Sequence, residues 1–305
     1  MANGRFAPSP TGELHLGNLR TALLAWLLAR SSASQFVLRM EDLDPATSSV
    51  VHRRGQERDL AAIGLDWDGP VVQQSDRLPL YNAAIRRLMA RGLTYPCFCT
   101  RREIAEAAQA PHEHLPEGAY AGTCRGLTAT QVSEREGTGR PAALRLRADE
   151  AQISFVDRWC GEVTGVVDDV VLRRNDDMPA YNLAVVVDDA DQGVEEVVRA
   201  DDLLLSTPRQ ILIGRLLGLP AMSYAHIGMV LGPTGKRLAK RDGAVTLADL
   251  GAVGRSASWV LSLLGQSLGL AAANELVDAA TLLRRFDPLS VRHGPWTIDP
   301  VYLRG

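Results

Sequence analysis

The stretch Pro8-Ser9-Pro10-Thr11-Gly12-Glu13-Leu14-His15-Leu16-Gly17-Asn18 constrains this chain more than any other. It closes a short strand expected over residues 4–9. Through a turn at Pro10-Thr11-Gly12 it then enters an apolar run of strong helix formers, from Leu16 to about Arg30. The prolines set the exit from the strand because their φ is fixed. Gly12 and Gly17 let the backbone turn and admit a ligand close to it. A helix opening at Leu16-Gly17-Asn18 presents unpaired N–H groups and the positive end of its dipole to a phosphate or another anion. His15 stands just before that helix, placed to donate to a phosphate oxygen; a histidine there also serves as a purely structural residue.

A second strand is expected over 35–40, and helices over 47–63 and 80–91. This β-loop-α-β-α order marks an open parallel α/β sheet. From Tyr95 to about Thr130 cysteines, prolines and glycines cluster without periodicity, the texture of an insertion. Strands are expected over 142–147, 153–159 and 170–174. A stronger one is expected from Ala180, through Tyr-Asn-Leu-Ala-Val-Val-Val, to Asp188-Asp189. A helix is expected over 207–217, and the last ninety or so residues read as mostly helical, most clearly over 258–268 and 278–285.

The 305 residues, 46% of them hydrophobic, suffice for one large domain or two ordinary ones. Four cysteines need no disulfide framework and fit a reducing compartment. The first residues lack a basic stretch followed by an apolar run, and no apolar run is long enough to span a bilayer. A cytoplasmic protein without membrane contact is expected. The net charge of -3 argues against a general nucleic-acid binder. Local basic patches at Arg53-Arg54, Arg86-Arg87, Lys236 to Arg241 and Arg284-Arg285 leave room for docking one RNA.

Three further groups carry chemistry. Gly235-Lys236-Arg237-Leu238-Ala239-Lys240-Arg241-Asp242-Gly243 is a basic loop between glycines, suited to a pyrophosphate leaving group. Arg5 and Glu41, at the ends of adjacent strands, suit a zwitterion: the guanidinium takes a carboxylate and the carboxylate takes an ammonium. Cys97 and Cys99 face one ion from a strand or turn, and Cys124 adds a third thiolate. For a fourth ligand His112 and His114 are the usual chemistry, with Tyr120 a rare choice.

The string from Pro8 to Leu23 resembles the nucleotide-binding signature of the class I aminoacyl-tRNA synthetases in its glutamyl form. His15-Leu16-Gly17-Asn18 stands where that family writes H-I-G-H. The basic loop resembles the K-M-S-K-S loop, with Arg237 and Lys240 at the two lysine positions. Ala239 replaces the serine, which removes a hydroxyl. The resemblance implies a Rossmann-like parallel-sheet catalytic domain. It implies that ATP, accompanied by Mg²⁺, is held by His15, Gly17, Asn18, Arg237 and Lys240, with His15, Asn18 and Lys240 acting catalytically on the charge that develops at the α-phosphate.

The segments R-F-A-P-S and R-M-E-D-L-D-P, Tyr181 in P-A-Y-N-L-A-V-V-V-D-D, and Arg199 in V-V-R-A-D-D-L-L-L-S-T-P-R-Q resemble the glutamate pocket of the same family. They imply that Arg5, Phe6, Ala7, Pro8, Ser9, Glu41, Tyr181 and Arg199 receive L-glutamate, with Arg5 on its side-chain carboxylate. Asp188 and Asp189 are left outside that set. The pattern C-x-C-x20-Y-x3-C matches the glutamyl-queuosine branch, where a tyrosine stands among the ligands. It implies one closed, structural Zn²⁺ on Cys97, Cys99, Tyr120 and Cys124.

Residues 1–94 and 176–220 are then two halves of the catalytic domain. Residues 95–175 form a zinc-bearing, acceptor-contacting insertion, and 221–305 hold the basic loop and a short, mostly helical C-terminal part. The chain runs about sixty residues past its basic loop, too few for the anticodon-reading domain of the glutamyl-tRNA synthetases. The resemblance therefore implies a monomer that activates L-glutamate with ATP and transfers it to the queuosine base of tRNA(Asp). A short enzyme charging a tRNA 3′ end and a catalytically silent RNA-binding relative are the alternatives.

Overall fold

The computed structural model describes residues 2–107, 119–236, 238 and 245–299. Of the residues singled out above, His112, His114, Arg237, Ala239 and Lys240 lie outside the described residues. The chain begins β1 (Gly4–Phe6), α1 (Leu16–Ser31), β2 (Phe36–Met40), α2 (Val50–Ala62), β3 (Val72–Gln73) and α3 (Leu78–Ala90), the order expected except for the short β3, which the sequence reading did not include. The middle holds β4 (Thr94–Cys97), α4 (Arg101–Ala107), α5 (Ala129–Gly137), β5 (Ala143–Leu146), β6 (Gln152–Asp157), β7 (Gly161–Val166) and β8 (Val171–Arg173). Then come α6 (Tyr181–Asp191), β9 (Glu196–Ala200), α7 (Thr207–Leu217), β10 (Ser223–Ile227), β11 (Val230–Leu231), α8 (Leu247–Ala252), α9 (Ala257–Ser267), α10 (Ala279–Arg285) and β12 (Trp296–Thr297).

Seven strands form the main sheet in the order β3-β2-β1-β9-β10-β6-β7. Every pairing in it is parallel except the β6–β7 hairpin. Central strands of such a sheet are covered on both faces, and β2 shows how. Phe36, Leu38 and Met40 join a core with α1, α9 and α10, while the intervening Val37 packs with Val197, Tyr224 and Ile211 of α7 on the other side. Helix α1 is apolar nearly all round, as a helix enclosed by neighbours must be. A second core joins α3, α6 and α7 to β5 and β8.

A separate antiparallel sheet, β4-β5-β8, carries the cysteine region. Hairpin β6–β7 does not belong to it: although close in sequence, β6 pairs with β10 and extends the main sheet. C-terminal to the main sheet, the described residues are chiefly α8, α9 and α10 with a small β11–β12 pair. Arg20 of α1 ties this part down, donating to the carbonyls of Gly228 (2.8 Å) and Gly294 (3.1 Å).

Two expectations are corrected. The segment from Tyr181 to Asp189 is helix α6, not a strand. Its run of valines favours extended backbone, but Leu183, Ala184, Val185 and Val186 are all buried, so no periodicity distinguishes the two states. The helix also turns both Asp188 and Asp189 inward, which an alternating strand does not do. The second concerns Ser223–Ile227, within the stretch read as mostly helical. It is β10, a central strand between β9 and β6.

Candidate active site and metal centre

The first signature folds as a helix cap. His15 is the N-cap of α1: its Nδ1 accepts from the backbone N–H of Gly17 at 3.1 Å and of Asn18 at 3.4 Å. Asn18 Oδ1 accepts in return from the His15 N–H at 3.3 Å. An accepting Nδ1 leaves the proton of the neutral ring on Nε2. A Cβ at Gly17 would crowd the imidazole at 3.0 Å, so glycine leaves the capping ring its room. His15, Gly17 and Asn18 line a small pocket of about 50 Å³ with Ala200, Gly228, Val230 and Leu238. Leu238 within the basic loop and Val245 just past it are held beside this helix start. The Leu238 N–H donates to Val230, and the carbonyl of Val245 accepts from Leu16 at 3.1 Å.

A larger cavity, about 480 Å³, opens where the parallel strands end. Ser9, Glu41 and Tyr181 form one side of it. Ser9 stays exposed while Pro8 accepts the Glu41 N–H at 2.9 Å, which fixes the two strand exits together. Tyr181 opens α6 and is 38% exposed, so it is a wall residue and not a core aromatic. Phe6 points into the core.

Arg5 and Arg199 are buried and already engaged. Arg5 donates to the Val198 carbonyl at 2.8 Å and contacts Asp189, not Glu41, at 3.4 Å. Arg199 donates to Gln210 and Thr207, each at 2.7 Å, and to His226 Nε2 at 3.0 Å. His226 is held in turn by Asp157 at 2.6 Å. Tyr181 and Arg199 are near enough for each to act on the other's ionisation.

The centre of this charge arrangement is Arg39, which the sequence reading passed over. It has no exposed surface. Its guanidinium approaches Asp189 at 2.8 Å and Asp188 and Glu41 at 3.5 Å, and it donates to Gln192 at 2.7 Å. Asp188 is further tied to Gln74, Arg77 and Tyr81. Burial works against ionised Asp189, yet Arg39 and Arg5 hold its carboxyl below the usual range. For Glu41 burial wins: despite Arg39 and Arg5, its carboxyl is pushed up to about 7. A charged residue inside the apolar run Phe36-Val37-Leu38-Arg39-Met40 was the available signal, since charges are buried only when paired.

Cys97, Cys99 and Cys124 converge with their sulfurs within 4.8 Å of one another, and Cys99 and Cys124 are 3.5 Å apart. The Tyr120 hydroxyl oxygen lies 3.3 Å from Cys97 Sγ and 3.7 Å from Cys99 Sγ, and accepts the Cys124 N–H at 2.8 Å. Tetrahedral metal–sulfur bonds of about 2.3 Å place ligand sulfurs about 3.8 Å apart, so these four side chains fit one tetrahedral ion. Arg145 lies over the Tyr120 ring at 3.6 Å, and Arg135 reaches Cys124 Sγ at 3.6 Å, cations that offset the charge of a thiolate cluster.

Replacing Arg39 by methionine removes the cation shared by three buried carboxylates, Glu41, Asp188 and Asp189. Arg39→Met is expected to lower folding stability by about 3–5 kcal/mol, read as a fall in the urea midpoint at unchanged slope. A loss under about 1 kcal/mol would show that Arg5 and Arg77 compensate without it.

The family model for class I tRNA synthetases (E and Q), catalytic domain, matches residues 2–304. The chain is 59% identical over 295 residues to a glutamyl-Q tRNA(Asp) synthetase of Nocardia farcinica, covering 97% of this chain and 92% of that one. It is 52% identical over 300 residues to one of Cutibacterium acnes, covering 94% and 85%. Among solved structures, a glutamate tRNA ligase of Elizabethkingia meningosepticum in complex with its amino acid superposes with a TM-score of 0.84 at 26% identity, covering 99% of this chain and 68% of that one. The chain belongs to the class I tRNA synthetases of the E and Q type, in the branch of the glutamyl-Q tRNA(Asp) synthetases.

Proposed function

We propose that this protein activates L-glutamate with ATP and transfers it to the queuosine base of tRNA(Asp). The observation that carries the reading is the pairing of a 59% identical glutamyl-Q tRNA(Asp) synthetase with a cavity walled by Ser9, Glu41 and Tyr181 and a separate pocket at the His15 helix start. Glutamate sits with its ammonium toward Glu41 and its side-chain carboxylate toward Arg5 and Arg199, beside Tyr181; Phe6, Ala7 and Pro8 shape the strand exit. ATP enters with Mg²⁺, which offsets the charge of its phosphates. His15, Gly17 and Asn18, joined by Arg237 and Lys240, hold those phosphates.

In the first step a glutamate α-carboxylate oxygen attacks the α-phosphorus, and pyrophosphate leaves as the Pα–O bond breaks. In the second a hydroxyl of the acceptor attacks the acyl carbon; AMP leaves and the hydroxyl proton passes to solvent. No protein nucleophile takes part. Orientation and preplaced charge lower both barriers.

Zinc is the ion we assign to Cys97, Cys99, Tyr120 and Cys124, because thiolates favour it and four protein donors leave no open position. It braces β4 against the returning loop. The chain's own part is to hold the four donors on β4 and the 120–124 segment, with Arg135 and Arg145 balancing their charge.

Glutamate-dependent ATP–pyrophosphate exchange, followed by transfer of labelled glutamate to tRNA(Asp) with and without queuosine, tests the whole reading. Exchange with queuosine-dependent transfer is expected. Transfer to the 3′ end of tRNA(Glu) instead would make this a short conventional synthetase, and absence of exchange would sink the enzyme altogether.

Glu41 sets a pH dependence. Its folded pKa of about 7 lies above the ordinary 4.5, so it is largely protonated below neutrality and ionised above it. Only the ionised form attracts the glutamate ammonium. The KM for glutamate should therefore rise about tenfold from about pH 8 to about pH 6, and Glu41→Gln should flatten the profile. A wild-type KM that is flat across this range would remove Glu41 from ammonium recognition. For the metal, elemental analysis should find zinc in equimolar amount. Its removal by a chelator, or Cys99→Ser, should lower the unfolding midpoint; purified protein without zinc and indifferent to chelator would contradict the assignment.

A further inference from the structure

The Arg199 guanidinium is backed by a second buried pair. Arg199 and His226 are direct neighbours across the parallel β9–β10 pairing, and the Arg199 Nε–H donates to His226 Nε2 at 3.0 Å. Through Nδ1, His226 meets Asp157 Oδ2 at 2.6 Å, and both of these side chains are fully buried. Asp157 ends β6 and is paired with Tyr224 of β10, where the β6–β7 hairpin joins the main sheet.

These contacts fix where the protons stand. A ring nitrogen that receives the Arg199 Nε–H carries no proton, so the neutral imidazole holds its proton on Nδ1, toward Asp157. Burial lowers the pKa of His226 below its ordinary value, more than Asp157 raises it, and Arg199 adds to the fall, so the ring is neutral near pH 7. Burial opposes the charge of Asp157, yet the hydrogen bonds from His226 and the backbone keep its carboxyl down to about 2. Its Oδ1 accepts the N–H groups of Trp159, Cys160 and His226 at 3.0, 3.0 and 3.2 Å, while Oδ2 faces the imidazole. The other two nitrogens of Arg199 are held by Gln210 and Thr207, and Gln210 in turn donates to Asn182, next to Tyr181, at 3.1 Å. A planar guanidinium gripped at Nε, Nη1 and Nη2 has little freedom left to turn.

We propose that Asp157 and His226 are positioning residues for glutamate recognition: Asp157 fixes the Nδ1–H tautomer of His226, so that Nε2 stays an acceptor and aims Arg199 at the side-chain carboxylate of the substrate. This inference rests on the glutamate pocket proposed above and adds what sets the aim of one of its cations. It also gives hairpin β6–β7 a task. By leaving the antiparallel sheet and extending the main one, the hairpin delivers a buried carboxylate behind the strands that carry Arg199 and His226.

Asp157→Asn tests this in the full chain because it keeps the shape of the side chain. The amide oxygen stays on the three backbone N–H groups, so the NH₂ faces His226 Nδ1. Nδ1 then has to accept, the ring proton moves to Nε2, and an N–H there opposes the Arg199 Nε–H. In ATP–pyrophosphate exchange the KM for glutamate is expected to rise about tenfold or more, while the KM for ATP stays within about twofold. Nitrogen-15 spectra of the histidine rings should show His226 passing from the Nδ1–H to the Nε2–H tautomer. His226→Gln, whose amide offers an N–H to Asp157 and an oxygen to Arg199, should keep the KM for glutamate within about threefold of wild type. A KM for glutamate that Asp157→Asn leaves unmoved, a rise matched by the KM for ATP, or an unchanged tautomer overturns the positioning role, and a His226→Gln as impaired as Asp157→Asn overturns the acceptor role of Nε2. Arg199→Lys is the reference. If it raises the KM for glutamate and Asp157→Asn does not, this inference fails alone; if it leaves that KM unmoved, the proposed pocket fails too. A wild type without exchange overturns both.

Discussion

A guanidinium with no solvent around it has to be answered by carboxylates, and in this protein much follows from that requirement. Arg39 sits within β2, one strand from β1, and its partners Asp188, Asp189 and Gln192 lie on or just past α6. The ion pairs therefore lock a helix that is distant in sequence against the strand ends where the cavity opens. Asp189 is shared with Arg5, so the position of one arginine sets that of the other. Such buried pairs gain little net stability over apolar packing, yet breaking one is expensive. Their value here is positional: the pairs define where charge stands when a zwitterion arrives.

The same economy governs the nucleotide end. His15 uses Nδ1 to cap α1, and the lack of a Cβ at Gly17 leaves room for that ring. The cap turns the imidazole so that Nε2 carries the proton. The Leu16 N–H ties this helix start to Val245 just past the basic loop, and Leu238 within the loop is tied to Val230 of β11, which lines the same small pocket as His15. Two signatures more than two hundred residues apart are thus held together at the far end of the loop by the Leu16–Val245 backbone hydrogen bond.

The cysteine cluster is more than a distant brace. Cys97 ends β4, and Cys97 and Cys99 stand in the wall of the cavity that Glu41 and Tyr181 face. Arg145 touches the cluster through the Tyr120 ring and the cavity with its own side chain. A metal held there would stiffen that wall. Among the described residues no helix is long and apolar enough to cross a membrane.

Sequence alone determined the elements whose signals are local. The Pro-Gly turn into α1, the amphipathic α3, and α7 over 207–217 all followed from propensity and punctuation. The family resemblance carried by the motifs implied that Ser9, Glu41 and Tyr181 share a pocket and that Tyr120 joins the three cysteines, and these side chains do line one cavity and meet at one point. Tertiary structure decided the rest, because it rests on contacts across long separations. Helix α6 reads as a strand until its valines are seen buried on nearly every side. Strand β10 has meaning only between β9 and β6. Asp189 becomes a partner of Arg5 only once α6 has folded across the ends of β1 and β2. The buried charges belong to the same class: a sequence shows that Arg39 is charged, but only packing shows that water is gone and that Asp188, Asp189 and Glu41 must answer it.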